Sequence, residues 1–329
     1  MNYSKYKEVF EIPEINVLFS STAMIKDEKN IHLIPRNKSL LSDTIGYINN
    51  KANPYTLFLW QYRTLDDLSW EQLKPQINRI LGEVTDLNIV ICCNDIKTLN
   101  NMPKEYGSRF SGILCNHNAT VSRKIFNIQS CDKMWDSVYT ARMCEFKRHH
   151  LSYNLSNILY LTSGNKKGQS NPYTKKGHML LMANQNNNFT LYHKSVPKKQ
   201  VNYLLNRSRV GLCLSSKEGA MYSSIEYLLC GLPIVSTKST GGRDVFFTNE
   251  NCIIAEDTPE SVAECVQKWL LNYPTLEQRQ RIRQDAVSTQ KQHTKILKNK
   301  LKEISSVDID IDKLYKEKFV HKWSYWGKY

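Results

Sequence analysis

Short apolar runs alternate with longer amphipathic stretches along this chain. The first series is NVLFSS (16–21), IHLIP (31–35), TLFLWQY (56–62), NIVICC (88–93) and GILCN (112–116). A second series follows: DSVYTA (136–141), NILYLTS (157–163), FTLYH (189–193), VGLCLS (210–215), PIVST (233–237) and CIIAE (252–256). These runs are nearly continuous in apolar residues rather than alternating, as parallel strands covered on both faces are. Helical patterns lie between them. LSWEQLKPQINRIL is one, and PKKQVNYLLNRS is another, with Pro197 at its start and Val201, Leu204 and Leu205 on one face. A long helical region follows Pro274 and runs to about Ile304. The alternation predicts doubly wound α/β architecture.

Eleven strands are many for one such sheet, and 329 residues is the length of two ordinary domains. The polar stretch NIQSCDKMW (127–135) is the natural boundary. It divides the chain into a Rossmann-like domain at 1–132, a second at 133–306 and a basic, aromatic tail at 307–329. Residues 164–176, GNKKGQSNPYTKK, read as an exposed basic loop. Hydrophobic residues at 41% and charged residues at 23% exclude collagen, low-complexity disorder and a disulfide miniprotein. Lys and Arg exceed Asp and Glu by 45 to 31, a net charge of +14. Such a surplus favours polyanionic partners, whether phosphate groups, nucleic acid or an anionic membrane surface. The nine cysteines are scattered, several lie in strand-like runs, and no C-x-x-C pair occurs. Buried, reduced thiols are expected, with no structural zinc. The start, MNYSKYKEVFEIPEIN, lacks the apolar region of a signal peptide, and no run reaches the length of a membrane span. The expectation is a cytoplasmic protein.

The stretch VGLCLSSKEGAMYSSIEYLLCGLPIVST (210–237) carries the most chemistry. A buried strand ends at Ser215, the loop SSKEGA follows, and a helix starts near Tyr222. Gly231 caps that helix and Pro233 opens the next strand. The helix therefore begins at the carboxyl end of a parallel strand, where open α/β sheets bind ligands. Its N–H groups at Tyr222 to Ser224 and its dipole favour an anion, with hydroxyls from Ser223 and Ser224 nearby. Glu218 precedes the helix and Glu226 lies about one turn inside it, so the two can meet opposite ends of one ligand.

Glu218 and Glu226 form an E-x7-E pattern, and EG followed by IEYLLCGLPIVST surrounds it. This segment resembles the retaining glycosyltransferases of the GT-B fold, in the large group 1 (family 4-like) type that includes sucrose synthase and glycogen synthase. That family places an Arg at the end of the first strand of its C-terminal domain and a Lys five residues later. VYTARMCEFKRHHL supplies Arg142 and Lys147 at that spacing, about 70 to 75 residues before Glu218. Two cations can hold a diphosphate leaving group and its growing charge. The neighbouring Arg148 and His149 receive no role.

The resemblance implies two Rossmann-like doubly wound domains with the active site in the cleft between them. It implies that Glu218 touches the donor sugar and that the backbone of Gly219, Ala220 and Met221 lines its hydroxyls. N–H groups of Tyr222 and Ser223 would meet the phosphate, Glu226 would accept from the ribose hydroxyls, and the backbone from Lys194 to Val196 would contact the base. His193 reads as a strand-end histidine or as part of that loop. Many relatives have Gly-Phe-Gly after the first Glu, where this chain has Gly219, Ala220 and Met221, so the sugar identity stays open. Gly241 and Gly242 in STKSTGGRDVF permit close backbone approach or form an ordinary turn.

The N-terminal half matches the family only in its α/β alternation. FSSTAMIKDE, with Ser20, Ser21 and Thr22, stands where relatives often have a Gly-rich loop. His32 and His117 are its candidate histidines. His117 follows a strand and precedes a helix that Asn118 or Thr120 could cap, and it is the candidate for the cleft. VDIDID (307–312) contains the D-x-D that GT-A enzymes use for a metal, but it follows the last α/β unit and reads as a solvated linker. No metal and no cofactor beyond the nucleotide-sugar co-substrate is expected. The tail aromatics Phe319, Trp323, Tyr325, Trp326 and Tyr329 either pack back on the first domain or meet a membrane interface.

The resemblance thus implies retaining glycosyl transfer from a nucleoside-diphosphate sugar, by a front-face route without a covalent enzyme intermediate. The expected acceptor is a glycan or lipid-linked hydroxyl in cell-surface polysaccharide, lipopolysaccharide or glycolipid synthesis, reached from the inner face of an anionic membrane. Nucleic acid bearing a modified base is an alternative acceptor. A catalytically inactive binding module is a further alternative, opposed by Arg142, Lys147, Glu218 and Glu226 occurring together.

Overall fold

The computed structural model describes residues 10–11, 17–19, 25–26, 55–60, 70–83, 87–162, 189–192 and 196–305. The IHLIP run, His32, Ser20 to Thr22, the 164–176 loop, His193, Lys194 and the 307–329 tail lie outside them. Contacts divide the chain into two compact units, Met1–Ser122 with Gln290–Tyr329, and Arg123–Thr289.

In the first unit, β1 (Phe10–Glu11) and β3 (Ile25–Lys26) form a parallel pair that the hydrophobic pattern does not foretell. The main sheet contains β2 (Val17–Phe19), β4 (Tyr55–Trp60), β5 (Leu87–Cys93) and β6 (Phe110–Leu114). Its order is β2-β4-β5-β6, with every neighbouring pair parallel. Leu87 and Ile89 to Cys93 are buried, which is why β5 reads as an unbroken apolar run. Helix α1 (Trp70–Glu83) turns Ile77 and Leu81 inward. Helix α2 (Ile96–Asn100) starts on Asp95, whose carboxylate accepts from the Thr98 N–H at 2.8 Å and the Thr98 hydroxyl at 2.9 Å.

The second unit holds one six-stranded sheet. Its elements are β7 (Trp135–Thr140), β8 (Ile158–Leu161), β9 (Phe189–Tyr192), α3 (Lys198–Asn206), β10 (Ser208–Cys213), α4 (Tyr222–Leu229), β11 (Ile234–Thr237), β12 (Cys252–Ala255) and α5 (Pro259–Leu271). Helix α6 (Leu276–Ser305) follows, and the division between the units falls within it. The order β12-β11-β10-β7-β8-β9 is parallel throughout. The chain starts at β7, moves outward through β8 and β9, then returns to β10 and moves out the other way. The strand order therefore reverses between β7 and β10, and the loops leaving their carboxyl ends diverge there.

Helix α4 is the element that faces this reversal. At its end Gly231 takes a left-handed conformation, φ +66°. The N–H of Gly231 donates to the Leu228 carbonyl at 2.9 Å and that of Leu232 to the Tyr227 carbonyl at 3.0 Å, the two bonds of a Schellman cap. Two arginines of α6 satisfy further carbonyls: Arg279 bonds Gly231 at 3.1 Å and Cys230 at 3.0 Å, and Arg283 bonds Leu229. Cations at this end also oppose the negative pole of the helix. Tyr227, fully buried, lies across β10 at Gly211, where a Cβ would come within 2.4 Å of the tyrosine ring. Gly211→Ala is therefore expected to overpack this contact, costing about 1–3 kcal/mol and lowering the thermal midpoint. An unchanged midpoint in a melting experiment would show that the ring can yield.

Candidate active site

The loop after β10 is held by backbone bonds to two other segments. Ser216 N–H donates to the Phe146 carbonyl at 3.0 Å, and Glu218 N–H donates to the Thr240 carbonyl at 3.0 Å. Thr240 N–H returns to Ser216 at 3.1 Å, and Gly242 N–H reaches the Gly219 carbonyl at 2.8 Å. Gly241, at φ +97°, makes the turn that brings Gly242 there. The Gly-Gly pair thus ties the β11 loop to the loop carrying Glu218.

Two arginines fasten this junction from within. Arg243 is fully buried and donates to the carbonyls of Cys213 at 3.0 Å, Ser215 at 2.8 Å and Thr237, while its Nε meets Asp244. Arg148, left-handed at φ +50°, donates to the Leu214 carbonyl at 2.7 Å and the Thr237 hydroxyl at 2.6 Å. It also pairs with Asp257 at 2.7 Å. That conformation is unfavourable for a residue with a Cβ, so these bonds offset a local cost.

Lys147 ends a 3₁₀ turn, Glu145–Lys147, and is only 7% exposed. Its ammonium meets Glu218 Oε1 in a direct ion pair. Ser215 Oγ donates to the same carboxylate oxygen at 2.6 Å. Tyr139 donates its hydroxyl to the Lys147 carbonyl, holding the turn against β7. Burial, and next the charge of Glu218, push the Tyr139 hydroxyl well above its ordinary range, so it stays a donor. The Lys147 ammonium also lies 5.2 Å from the Phe146 ring centroid. Arg142, in contrast, is exposed, and its guanidinium makes no hydrogen bond or ion pair among the described residues.

Helix α4 begins without a side-chain cap on Met221. Ser224 uses both its N–H, at 3.0 Å, and its hydroxyl, at 2.7 Å, on the Met221 carbonyl. The Ser223 hydroxyl donates to the Thr140 carbonyl at 3.0 Å. Both serine hydroxyls are thus directed inward, and the Ser223 N–H is the group left without an acceptor among the described residues. The Tyr227 hydroxyl accepts from the Thr140 N–H at 2.7 Å, so the end of β7 is tied to α4 twice. Ala220 and Met221 are buried, and the Met221 sulfur lies 3.8 Å from Ser215 Oγ. Met221 therefore packs behind Glu218.

Glu226 is 2% exposed and pairs with Lys198 at 3.3 Å. The two glutamates of the E-x7-E pattern thus have different cationic partners. Val196 is half-buried just before α3. His117 belongs to the first unit, where it opens a buried 3₁₀ turn, His117–Thr120. The cap of that turn is Asn116, whose side chain accepts from the Asn118 N–H at 2.8 Å, rather than Asn118 or Thr120. Ser215, Tyr139, Arg148, Arg243 and Lys198 escaped the sequence reading. Buried arginines leave no periodic mark, and Lys198 reads as one more lysine of a helix start.

A family model, glycosyl transferases group 1, matches residues 150–288. Over that segment the chain is similar to the group 1 glycosyltransferases. The matched segment contains Glu218, Glu226, Lys198 and Arg243; Arg142 and Lys147 precede it. Solved structures extend the likeness beyond the matched segment. Anabaena Alr3699/HepE in complex with UDP-glucose aligns with a TM-score of 0.60 at 12% identity, over 89% of this chain and all of that one. The pneumococcal O-GlcNAc transferase GtfA, in complex with UDP and GlcNAc, gives 0.59 at 12% identity, over 83% of this chain and 56% of that one. A glycosyltransferase from Rickettsia africae gives 0.53 at 12% identity, over 90% and 99%. At these identities the shared property is the fold, the parallel α/β arrangement of GT-B proteins. No curated protein matches in sequence. Among the described residues, no helix is long and apolar enough to cross a membrane.

A neutral base lies beside the Lys147–Glu218 pair. His149 is 4% exposed, its ring centroid 4.8 Å from that of Tyr139, and neither ring nitrogen finds a hydrogen-bond partner among the described residues. Burial first, then the charges of Lys147 and His150, lower its pKa from 6.5 to about 3. Between those values the unfolded chain binds the extra proton, so stability falls as pH falls through that window. The loss from this one group is at most about 1.4 kcal/mol per pH unit. In urea unfolding, His149→Phe should lose less stability between pH 7 and pH 5 than wild type does. An equal loss would contradict the assignment.

Proposed function

We propose that the chain is a retaining glycosyltransferase that takes its sugar from a nucleoside-diphosphate donor of the UDP type. The observation that carries this reading is the buried Lys147–Glu218 pair at the strand-order reversal, beside the uncapped start of α4. A lysine ammonium carries three donors. With one directed at Glu218, others can meet the diphosphate, together with exposed Arg142 and the Ser223 N–H. These cationic and dipolar groups would stabilise the negative charge that grows as the bond from the sugar C1 to the phosphate oxygen breaks. Glu218 orients the sugar hydroxyls, with the backbone from Gly219 to Met221 beside it. The acceptor oxygen bonds to C1 on the face the phosphate leaves, and its proton passes to the departing phosphate oxygen. Glu226 meets the ribose, and the segment from Lys194 to Val196 the base. UDP is preferred because both the Alr3699/HepE and the GtfA structures hold it.

For the acceptor we favour a glycan or lipid-linked hydroxyl in cell-surface polysaccharide or glycolipid synthesis. The net charge of +14 supports work at the cytoplasmic face of an anionic membrane.

Thermal shift against UDP, GDP, ADP and CMP, without added metal, tests the donor site. One diphosphate should raise the midpoint, and Arg142→Ala should remove most of that rise. No rise with any nucleotide would overturn the reading. Proton spectra recorded early in slow donor hydrolysis should show the free sugar in the donor's own anomeric configuration; the opposite anomer would refute retention.

A further inference from the structure

The second half of helix α6 carries charge of one sign. From Ala286 to Lys302 it has five lysines and no acidic residue. Its inner face is fixed, with Gln290, His293 and Leu297 buried. Gln290 Nε2 donates to the carbonyls of Asn118 at 3.0 Å and Val121 at 3.1 Å, and the Asn116 N–H donates to His293 Nδ1 at 3.3 Å. All of these residues belong to the first unit. At 3.6 residues per turn, Lys291, Lys295 and Lys302 then fall within about 40° of one another, on the side away from that face. All three are exposed, and their ammonium groups make no hydrogen bond or ion pair among the described residues. They span about 16 Å of the helix at 1.5 Å per residue. The next acid on the helix, Glu303, pairs with Lys300 at 2.7 Å, off this row.

Such a row costs the helix stability. Lys291 and Lys295 are like charges at i and i+4, as are Lys298 and Lys302, and like charges at that spacing repel. The negative pole of a helix favours a cation in the last turn, which accounts for Lys302. Lys291 and Lys295 stand more than two turns before the end and gain nothing from it. Solvated helix faces commonly alternate the two signs. A row of one sign, held at a fixed rotation by the buried face, is complementary to a row of anions. We propose that this lysine row is a docking surface for anionic lipid headgroups. The proposal rests on the reading that the chain works at an anionic membrane, and it names the face that meets the membrane. The row is straight and lies on a convex helix, so its three cations reach a flat layer of phosphates together, each adding to the attraction. A single nucleic-acid strand instead needs a groove that follows its backbone.

Co-sedimentation of the whole chain with vesicles tests this, using phosphatidylcholine alone or an even mixture of phosphatidylcholine and phosphatidylglycerol. Wild type should bind the mixed vesicles and not the neutral ones, and about 1 M salt should release it, since screening then acts beyond about 3 Å. The triple variant Lys291→Gln, Lys295→Gln and Lys302→Gln should partition roughly a hundredfold less, the scale for three surface lysines. Lys291→Arg, Lys295→Arg and Lys302→Arg together should bind as wild type does. Lys97→Gln, Lys124→Gln and Lys268→Gln remove the same charge from other exposed positions and should lose far less. Should the first triple fail to fold, Lys291→Gln with Lys295→Gln carries the comparison, with a loss of roughly tenfold or more. Equal loss in the two glutamine triples would mean that net charge alone acts, and overturns the proposal. If the row triple binds mixed vesicles as wild type does, the row has no such role and the membrane reading stands. If wild type does not bind mixed vesicles, or the row triple loses binding to duplex DNA and not to vesicles, lipid docking falls. The nucleotide thermal shifts do not depend on vesicles, so the donor site is judged apart from all of these outcomes.

Discussion

A lysine ammonium and a glutamate carboxylate, both largely removed from water, face each other where the order of a parallel sheet reverses. Charges in such a place are costly unless paired and hydrogen-bonded. The structure around Lys147 and Glu218 answers that demand at each point. Ser215 donates to the carboxylate, Tyr139 holds the lysine backbone, and the Phe146 ring lies beside the ammonium. Removal of either partner would leave the other charge buried alone, so the surrounding loops are constrained to keep the two together.

That constraint explains features with no catalytic chemistry of their own. Arg243 and Arg148 spend their guanidinium donors on strand-end carbonyls, which keeps the loops leaving β10 and β11 from separating. Tyr227 crosses β10 and binds the end of β7, which requires a glycine at 211. The cap at Gly231 and the arginines of α6 fasten the other end of α4. The start of that helix is thereby left uncapped yet rigid, the condition under which a helix N-terminus can serve an anion. The sheet sets the place, the buried arginines and tyrosines set the loops, and the loops set the charges.

Much of this was legible in the residues. Ten of the eleven apolar runs coincide with strands, because a strand buried on both faces must be apolar throughout. The eleventh, 31–35, lies outside the described residues. The order of the strands was expected only as a class, since periodicity carries no information about neighbours. The short β1–β3 pair escaped because two residues are too few to show a period. The start of α4 and the glycine after it were legible from Pro, Gly and Ser chemistry. Ser223 and Ser224 read as donors toward a ligand, yet the structure turns their hydroxyls to backbone carbonyls. Side-chain direction depends on which carbonyl lies nearest, and only the fold supplies that. The partners of the two glutamates divide the same way. Lys147 was visible from its place in the motif, whereas Lys198 takes its meaning from a contact between helices.

The most direct test is a double-mutant cycle on the central pair, read as release of nucleoside diphosphate from the sugar donor. Lys147→Met and Glu218→Gln should each slow release by roughly a hundredfold or more, the scale of a lost electrostatic group in a reaction centre. The double variant should be no slower than the worse single one, because the two act as a unit. Folded single variants that release nucleotide at near wild-type rates, or losses that multiply in the double variant, would contradict the account.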